Sequence, residues 1–391
     1  MNGHEAETQT PQAWEARKRP QALMLACVNS VLRHGPKQPA AGEDMAALYR
    51  LSKAHGLQVL VFDALRWEGA DPATLAAWTR DIQQNYLYDL LLRQEHLRVQ
   101  AALREAAIGF MPLKGIALKD LYPQSSYRVT ADLDYYVPHM DLPAVTRVME
   151  GLGYSADDYG LSYHAGFSNQ SGLHVEMHRA LVSRGHEFEG LARYLEGRVR
   201  TEEGAPRWSR EDEYLYLLMH LAKHLIRAGV GVRQVLDVCL FQEGAGPDRS
   251  YLRDVLKRFD LLTFEENVQA LIALWFHGTP TANPRVRDLA DAILCAGSFG
   301  SVEGIMAYNV QKGLRRYGGR LGYLFRRMFP GRDFMCDRYP AAGWRLVFMP
   351  AFWAHRLVAM GIAHRRRMLR EIWAVFGKGE RTRPSNDRFF H

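Results

Sequence analysis

The chain has 391 residues, of which 47% are hydrophobic, 11% aromatic and 24% charged, which excludes collagen-like, disordered and coiled-coil architectures and supplies apolar material for two or three packed units. Its four cysteines, Cys27, Cys239, Cys295 and Cys336, stand far apart with no CxxC pair, so a disulfide framework and a cysteine-rich zinc site are excluded and a reducing compartment fits. Net charge is +7, yet the segment from Gln311 onward holds 18 Arg or Lys against 5 Asp or Glu, and an excess this local either meets an anionic partner or neutralises the acidic remainder.

Residues 1–20 carry Glu5, Glu7 and Glu15 and lack the apolar core of a secretory signal. They read as a loose tail on a cytoplasmic protein. Residues 21–107 read as helices: Leu23, Leu25, Val28 and Val31 set one stripe, 46–54 a second, and His55-Gly56 interrupts before the apolar run 57–65. From 72 to 107 the helical period continues with Leu87, Leu90, Leu91, His96 and Leu97 on related faces, and the helix should stop near Ile108-Gly109.

The pattern then changes. Phe110-Met111-Pro112-Leu113 reads as a short strand, Lys114-Gly115 as a tight turn, and 116–121 as a short helix. Residues 130–137 alternate as a strand, 142–152 form an amphipathic helix closed by Gly153, and 159–167 with 173–178 form a hairpin around Asn169-Gln170-Ser171-Gly172. Helical spacing returns from Arg210, with Gly229 and Gly231 between two helices and further helices over 251–276 and 286–295. The expected fold class is α+β, a small mixed sheet flanked by helices. Its expected divisions are a flexible tail 1–20, an N-terminal helical region 21–107, an α+β core 108–205, a helical domain 206–310 and a basic aromatic helical tail 311–391. Residues 346–363, broken by Pro350, His355 and Arg356, are too polar and too short for a membrane span.

The strongest chemical signal is Asp132-Leu133-Asp134 inside the strand 130–137. Side chains two apart on a strand leave the same face, so both carboxylates point one way while Leu133 and Tyr135 point to the core. Unpaired, two such carboxylates repel, and a divalent cation with oxygen ligands, Mg²⁺ or Mn²⁺, relieves that. In 173–178, His174, Glu176 and His178 share one face. If that strand lies beside 130–137, Glu176 becomes a third acid of a two-metal arrangement. Upstream, Lys114-Gly115 at a strand-to-helix turn offers backbone N–H groups and a cation to phosphate, with Arg128 between turn and acids.

His220, Lys223 and His224 fall on one helical face. Two His four apart suit zinc, but no HExxH glutamate follows, and an inward polar face in which Lys223 and Arg233 reach phosphates while Asp237 orients one of them accounts for the pattern better. The tail interleaves Arg315-Arg316, Arg326-Arg327 and Arg365-Arg366-Arg367 with Tyr323, Phe325, Trp344, Phe352, Trp353 and Trp373. Such a stretch suits RNA, an anionic membrane surface, or packing against the acidic part of the chain. No GxSxG, Walker A or GxGxxG motif is present.

Together, Leu113-Lys114-Gly115, Leu121-Tyr122-Pro123, Arg128, Asp132-Leu133-Asp134 with Val137, Leu152-Gly153-Tyr154, Val175-Glu176-Met177-His178, and then His220, Lys223-His224, Gly231, Arg233 and Asp237 resemble the uncharacterised nucleotidyltransferase family of the DNA polymerase β-like superfamily. The resemblance implies transfer of a nucleoside monophosphate from an NTP to an acceptor with Mg²⁺. It makes Asp132, Asp134 and Glu176 catalytic and metal-binding, with Glu176 or a neighbour such as His178 as base. Lys114, Gly115, Arg128, Lys223 and Arg233 become nucleotide-binding. One departure stands out: the superfamily places a serine after paired glycines at this turn, whereas this chain reads Lys114-Gly115-Ile116, so the serine contact to phosphate is missing and Lys114 is the candidate to substitute for it.

The first expectation is therefore an NTP-dependent transferase, releasing pyrophosphate, with a small-molecule, sugar or peptide acceptor. A toxin or RNA-modifying enzyme of the same class would bind RNA through the basic tail with a steep salt dependence. A catalytically silent nucleotide-binding module would bind without turnover. Mutation of Asp132 or Asp134, expected to be solvent-facing, should abolish activity and spare the fold.

Overall fold

A computed structural model describes residues 11–296 apart from 41–44, 69, 158–162, 203, 228 and 244–246, together with 325, 329, 350, 353, 354, 389 and 390. The basic tail, its arginine pairs and triplet included, lies outside the described residues apart from those last few.

The chain begins with α1 (Pro11–Leu32), β1 (Gln38–Pro39), α2 (Met45–Ala54), α3 (Gln58–Asp63), β2 (Leu65–Arg66) and α4 (Pro72–Glu105), and β1 pairs with β2 in parallel. Residues 11–20, at the end of the expected tail, are helical: Pro11 suits a first turn, and Ala, Glu and Arg after it favour helix. Asp71 caps α4 by accepting from the Thr74 N–H at 2.8 Å, with Pro72 behind it. This helix ends close to where the sequence placed its stop, but its inward face differs from the expected leucine stripe. Trp78, Ile82, Leu92, Val99 and Leu103 are buried, whereas Leu87, Leu90, Leu91 and Leu97 are all more than half exposed. A long helix with apolar residues on two faces offers two stripes, and only tertiary contact, with the N-terminal helices at Trp78 and Ile82 and with the sheet at Leu92, Val99 and Leu103, decides which one is buried.

The α+β expectation holds. After α4 come β3 (Met111–Pro112), α5 (Lys114–Ala117), β4 (Asp132–Tyr136), α6 (Leu142–Gly151), β5 (Tyr154–Ala156), β6 (His164–Asn169) and β7 (His174–His178). They build a five-stranded sheet in the order β3-β4-β7-β6-β5, in which β4 and β7 run parallel and every other pair antiparallel. Asn169 sets the β6–β7 hairpin: its Oδ1 accepts from the N–H groups of Ser171 and Leu173, each at 3.0 Å, and Gly172 takes the left-handed conformation the turn requires.

Strand alternation sorts the two faces. Leu133, Tyr135, Val175 and Met177 are fully buried on one side, packed with Val99 and Leu103 of α4 and Val145 and Met149 of α6; each such apolar side chain stabilises the fold by about 1.5–3 kcal/mol. Asp132, Asp134, His174, Glu176 and His178 leave the other side. Beyond the sheet follow α7 (Glu189–Glu196), the hairpin β8 (Arg200–Glu202) and β9 (Ala205–Arg207), α8 (Arg210–Arg227), α9 (Val232–Gln242), α10 (Arg249–Arg258), α11 (Leu262–Phe276) and α12 (Pro284–Ala296). Residues of α1–α3 and α7–α12 share one large apolar core. Near the C-terminus, the Phe390 ring stacks on Phe264 at 4.6 Å and the Phe389 carbonyl accepts from Asn267 at 3.2 Å. No described helix is long and apolar enough to cross a membrane.

Candidate active site

Parallel pairing of β4 with β7 puts Asp132 beside His174 and Asp134 beside Glu176. The three acids therefore stand on adjacent strands of one sheet face: spacing put the side chains of each strand on one face, and the β4–β7 pairing brings the two strands together. They are not equivalent, and the expectation that both aspartates face solvent is corrected. Asp134 is 0% exposed: its Oδ1 accepts from His178 Nε2 at 3.0 Å, and its Oδ2, without a hydrogen bond, lies 3.3 Å from Lys114 Nζ. Asp132 is half-buried. Burial disfavours charge on Asp134, but Lys114 and His178 more than compensate and hold its carboxyl below the ordinary range. Burial and the neighbouring Asp134 charge push Asp132 the other way, upward.

Glu176 is bracketed by imidazoles. His178 Nε2 lies 3.1 Å from its Oε2, and His174 Nε2 and His164 Nε2 lie 3.6 and 3.9 Å from its Oε1. Although burial opposes it, the imidazoles of His174 and His178 hold the Glu176 carboxyl well below the usual carboxylate range. His178, desolvated but bridging two carboxylates, is held above the ordinary histidine value.

The Lys114-Gly115 turn is backbone under strain. Lys114 has φ +22° and Gly115 φ +30° with ψ −102°, and only glycine adopts the latter region readily. A Cβ on Gly115 would sit 3.2 Å from Thr130 Cγ2 and 3.9 Å from Asp134 Oδ2, so the turn lies directly against the acid face. The backbone approaches because Leu113 N–H donates to the Asp134 carbonyl at 2.9 Å, extending the β3–β4 pairing.

Arg128 does not face an opening. Its Nε and Nη2 donate to the two Asp237 oxygens at 2.8 Å each, and its Nη1 donates to the Gly115 carbonyl at 2.9 Å and to Thr130 Oγ1 at 2.8 Å. Tyr122 also donates to Asp237, at 2.7 Å. Asp237 thus orients Arg128, and not Lys223 or Arg233 as the helical spacing suggested, because the planar guanidinium fork matches a carboxylate edge. Arg233 donates to the Val129 carbonyl, and its Nε is buried without a hydrogen bond.

From α8, Tyr216, His220 and Lys223 come within electrostatic reach of Lys114; Asp134 and Glu176 act on Tyr216 and Lys223 as well. Lys223 makes no hydrogen bond or ion pair among the described residues. Burial, followed by the charges of Lys114 and Arg227, brings its pKa down to about 8. Burial also keeps His220 and His224 neutral, and their rings meet at 4.4 Å. Among the described residues the donors that converge closely enough for one metal ion are His164, Glu176 and His178, all within 4.8 Å of one another; His220 and His224 find no third donor. Sequence reasoning missed His164 and Tyr216. Counting back from the Asn169 turn would have placed His164 opposite His178; nothing in the spacing of α8 marks Tyr216.

No curated protein and no solved structure matches this chain significantly. The family model described as uncharacterised nucleotidyltransferase matches residues 41–277, a span that contains the strained turn, the three acids, Lys223 and Arg233. The chain belongs to that family of uncharacterised nucleotidyltransferases.

Proposed function

We propose that the protein moves a nucleoside monophosphate from an NTP onto a hydroxyl or similar group of a small molecule, sugar or peptide, using Mg²⁺ or Mn²⁺. The observation that carries this reading is the strained Lys114-Gly115 turn lying against a strand pair that presents three carboxylates on one face. The donor types suit such an ion: Asp132, Asp134 and Glu176 offer hard oxygen ligands, and the buried Oδ2 of Asp134 has no hydrogen bond and is held by the Lys114 ion pair at 3.3 Å. When bound, the ion supplies positive charge to the triphosphate and the attacking oxygen.

The remaining work falls to this chain's own groups. The backbone of residues 114–115 and the Lys114 ammonium hold phosphate oxygens, and Lys223, which has no hydrogen bond or ion pair among the described residues, adds charge from α8. Arg128 acts as a positioning residue that fixes the Gly115 carbonyl and hence the turn. The acceptor oxygen attacks the α-phosphorus, the bond from that phosphorus to the bridging oxygen breaks, and pyrophosphate leaves with the electron pair while the acceptor proton passes to a base.

The test is pyrophosphate release from each of the four NTPs with Mg²⁺, in the presence of hydroxyl-bearing small molecules, sugars, peptides and RNA. Release by the wild-type protein with one acceptor class, lost in Asp132→Asn, supports the reading. Equal release by both proteins removes Asp132 from the chemistry.

A further inference from the structure

We propose that His164, Glu176 and His178, with His174 beside them, form a nitrogen-rich site for a transition-metal ion, Zn²⁺ before all others, at the β6 side of the acid face. The antiparallel register of β6 on β7 sets His164 opposite His178 and Gly166 opposite Glu176. Both imidazoles therefore project from the face that carries Glu176, and their ring centroids are 5.2 Å apart. Gly166 leaves room for a third: a Cβ there would come within 3.2 Å of His174 Cε1. His174 is also aimed, since its Nδ1 meets Asp157 Oδ2 at 3.0 Å and Ser168 Oγ at 3.1 Å while its Nε2 turns to Glu176. An imidazole oriented by a carboxylate on its far nitrogen is the usual arrangement around bound zinc.

The donor types decide the ion. Mg²⁺ and Ca²⁺ take oxygen, whereas two or three imidazoles with one carboxylate suit Zn²⁺. Side-chain exposures of 12% for His164, 25% for Glu176 and 35% for His174 leave a path for an ion from solvent, and His178, at 9%, becomes a ligand through Nε2 by giving up the proton it donates to Asp134 Oδ1. The site shares Glu176 with the nucleotidyl-transfer reading but does not depend on it, because zinc binding is measured without nucleotide.

The full-length protein is stripped with chelator, dialysed against Zn²⁺, and the bound metal is counted and titrated; Mg²⁺-dependent stabilisation by NTP is followed separately. The expected result is one tightly held equivalent of Zn²⁺ in the wild-type protein and in His277→Gln, an exposed histidine used as control. In His164→Gln the affinity should drop by about 100-fold or more, and in Asp157→Asn, where the carboxylate that orients His174 and accepts from Ser168 Oγ at 2.9 Å is lost, by about 10- to 100-fold. Stabilisation by NTP should survive in His164→Gln, which separates this site from the nucleotide reading. Absence of bound zinc in the wild-type protein, or wild-type affinity in His164→Gln, overturns the proposal.

Discussion

Asp132 and Asp134 are two residues apart, chemically identical and on one face, yet their surroundings give them opposite energetics. Asp134 is a buried anion between Lys114 and His178, and removing one partner of a buried charge cluster costs about 3–5 kcal/mol. Asp134→Ala should therefore melt far below the wild-type protein. Asp132 ionises against burial and the Asp134 charge. Its folded-state pKa lies above the unfolded value, so the ionised form is a net cost at neutral pH, and Asp132→Asn should melt at or above the wild type at pH 7 with the difference fading below about pH 4. Matching melting temperatures for Asp134→Ala and wild type would refute this view of the buried aspartate. Gly115→Ala brings a Cβ to 3.2 Å from Thr130 Cγ2 in a left-handed conformation and should cost about 1–3 kcal/mol; urea unfolding that leaves its stability unchanged would show that the turn is not strained. At this scale strand alternation made the acid face readable from sequence. Which acid is buried was not readable, because it depends on Lys114 and His178 arriving from other elements.

The elements around the site are held by buried polar joints that no local pattern announces. Arg128 ties the segment before β4 to Asp237 of α9 and to the Gly115 carbonyl. Arg128→Lys cannot reproduce the fork, so stability should fall by about 3–5 kcal/mol; a melting temperature equal to wild type would contradict a joint of this kind. His55, between α2 and α3, is a second joint: its Nδ1 accepts from the Val232 N–H at 3.2 Å, and burial brings its pKa down from 6.5 to about 4. The unfolded chain takes up that proton near pH 6.5 and the folded chain only near pH 4, so His55 subtracts stability as the pH falls through that window. His55→Asn, which keeps an acceptor, should lose less stability than wild type between pH 7 and pH 4. Parallel profiles would show that His55 is not held neutral. The hairpin around Asn169 was legible from its turn residues and α4 from its cap and period. The leucine stripe misled because Leu87, Leu90, Leu91 and Leu97 satisfy helical spacing as well as the buried set does, and spacing alone does not say which stripe meets the sheet.

On the scale of the whole molecule, the sheet divides the work. One face is sealed against α4 and α6 by apolar side chains, which leaves the opposite face to carry charge, and α8 brings Lys223, Tyr216 and His220 toward it. Acids on strands and cations on the turn and helix oppose negative and positive groups on one face, the arrangement on which the proposed nucleotide reading rests. Family membership over residues 41–277 covers this assembly. The most direct measurement is thermal unfolding of the full-length wild-type protein and Asp132→Asn against ATP, CTP, GTP and UTP, each with and without Mg²⁺. A nucleotide at 100 times its dissociation constant adds about 2.7 kcal/mol, so stabilisation by at least one NTP that requires Mg²⁺ and disappears in Asp132→Asn is the predicted result. No stabilisation by any of the four, or an equal shift in the variant, would contradict the assignment of this face to a metal-bound nucleotide.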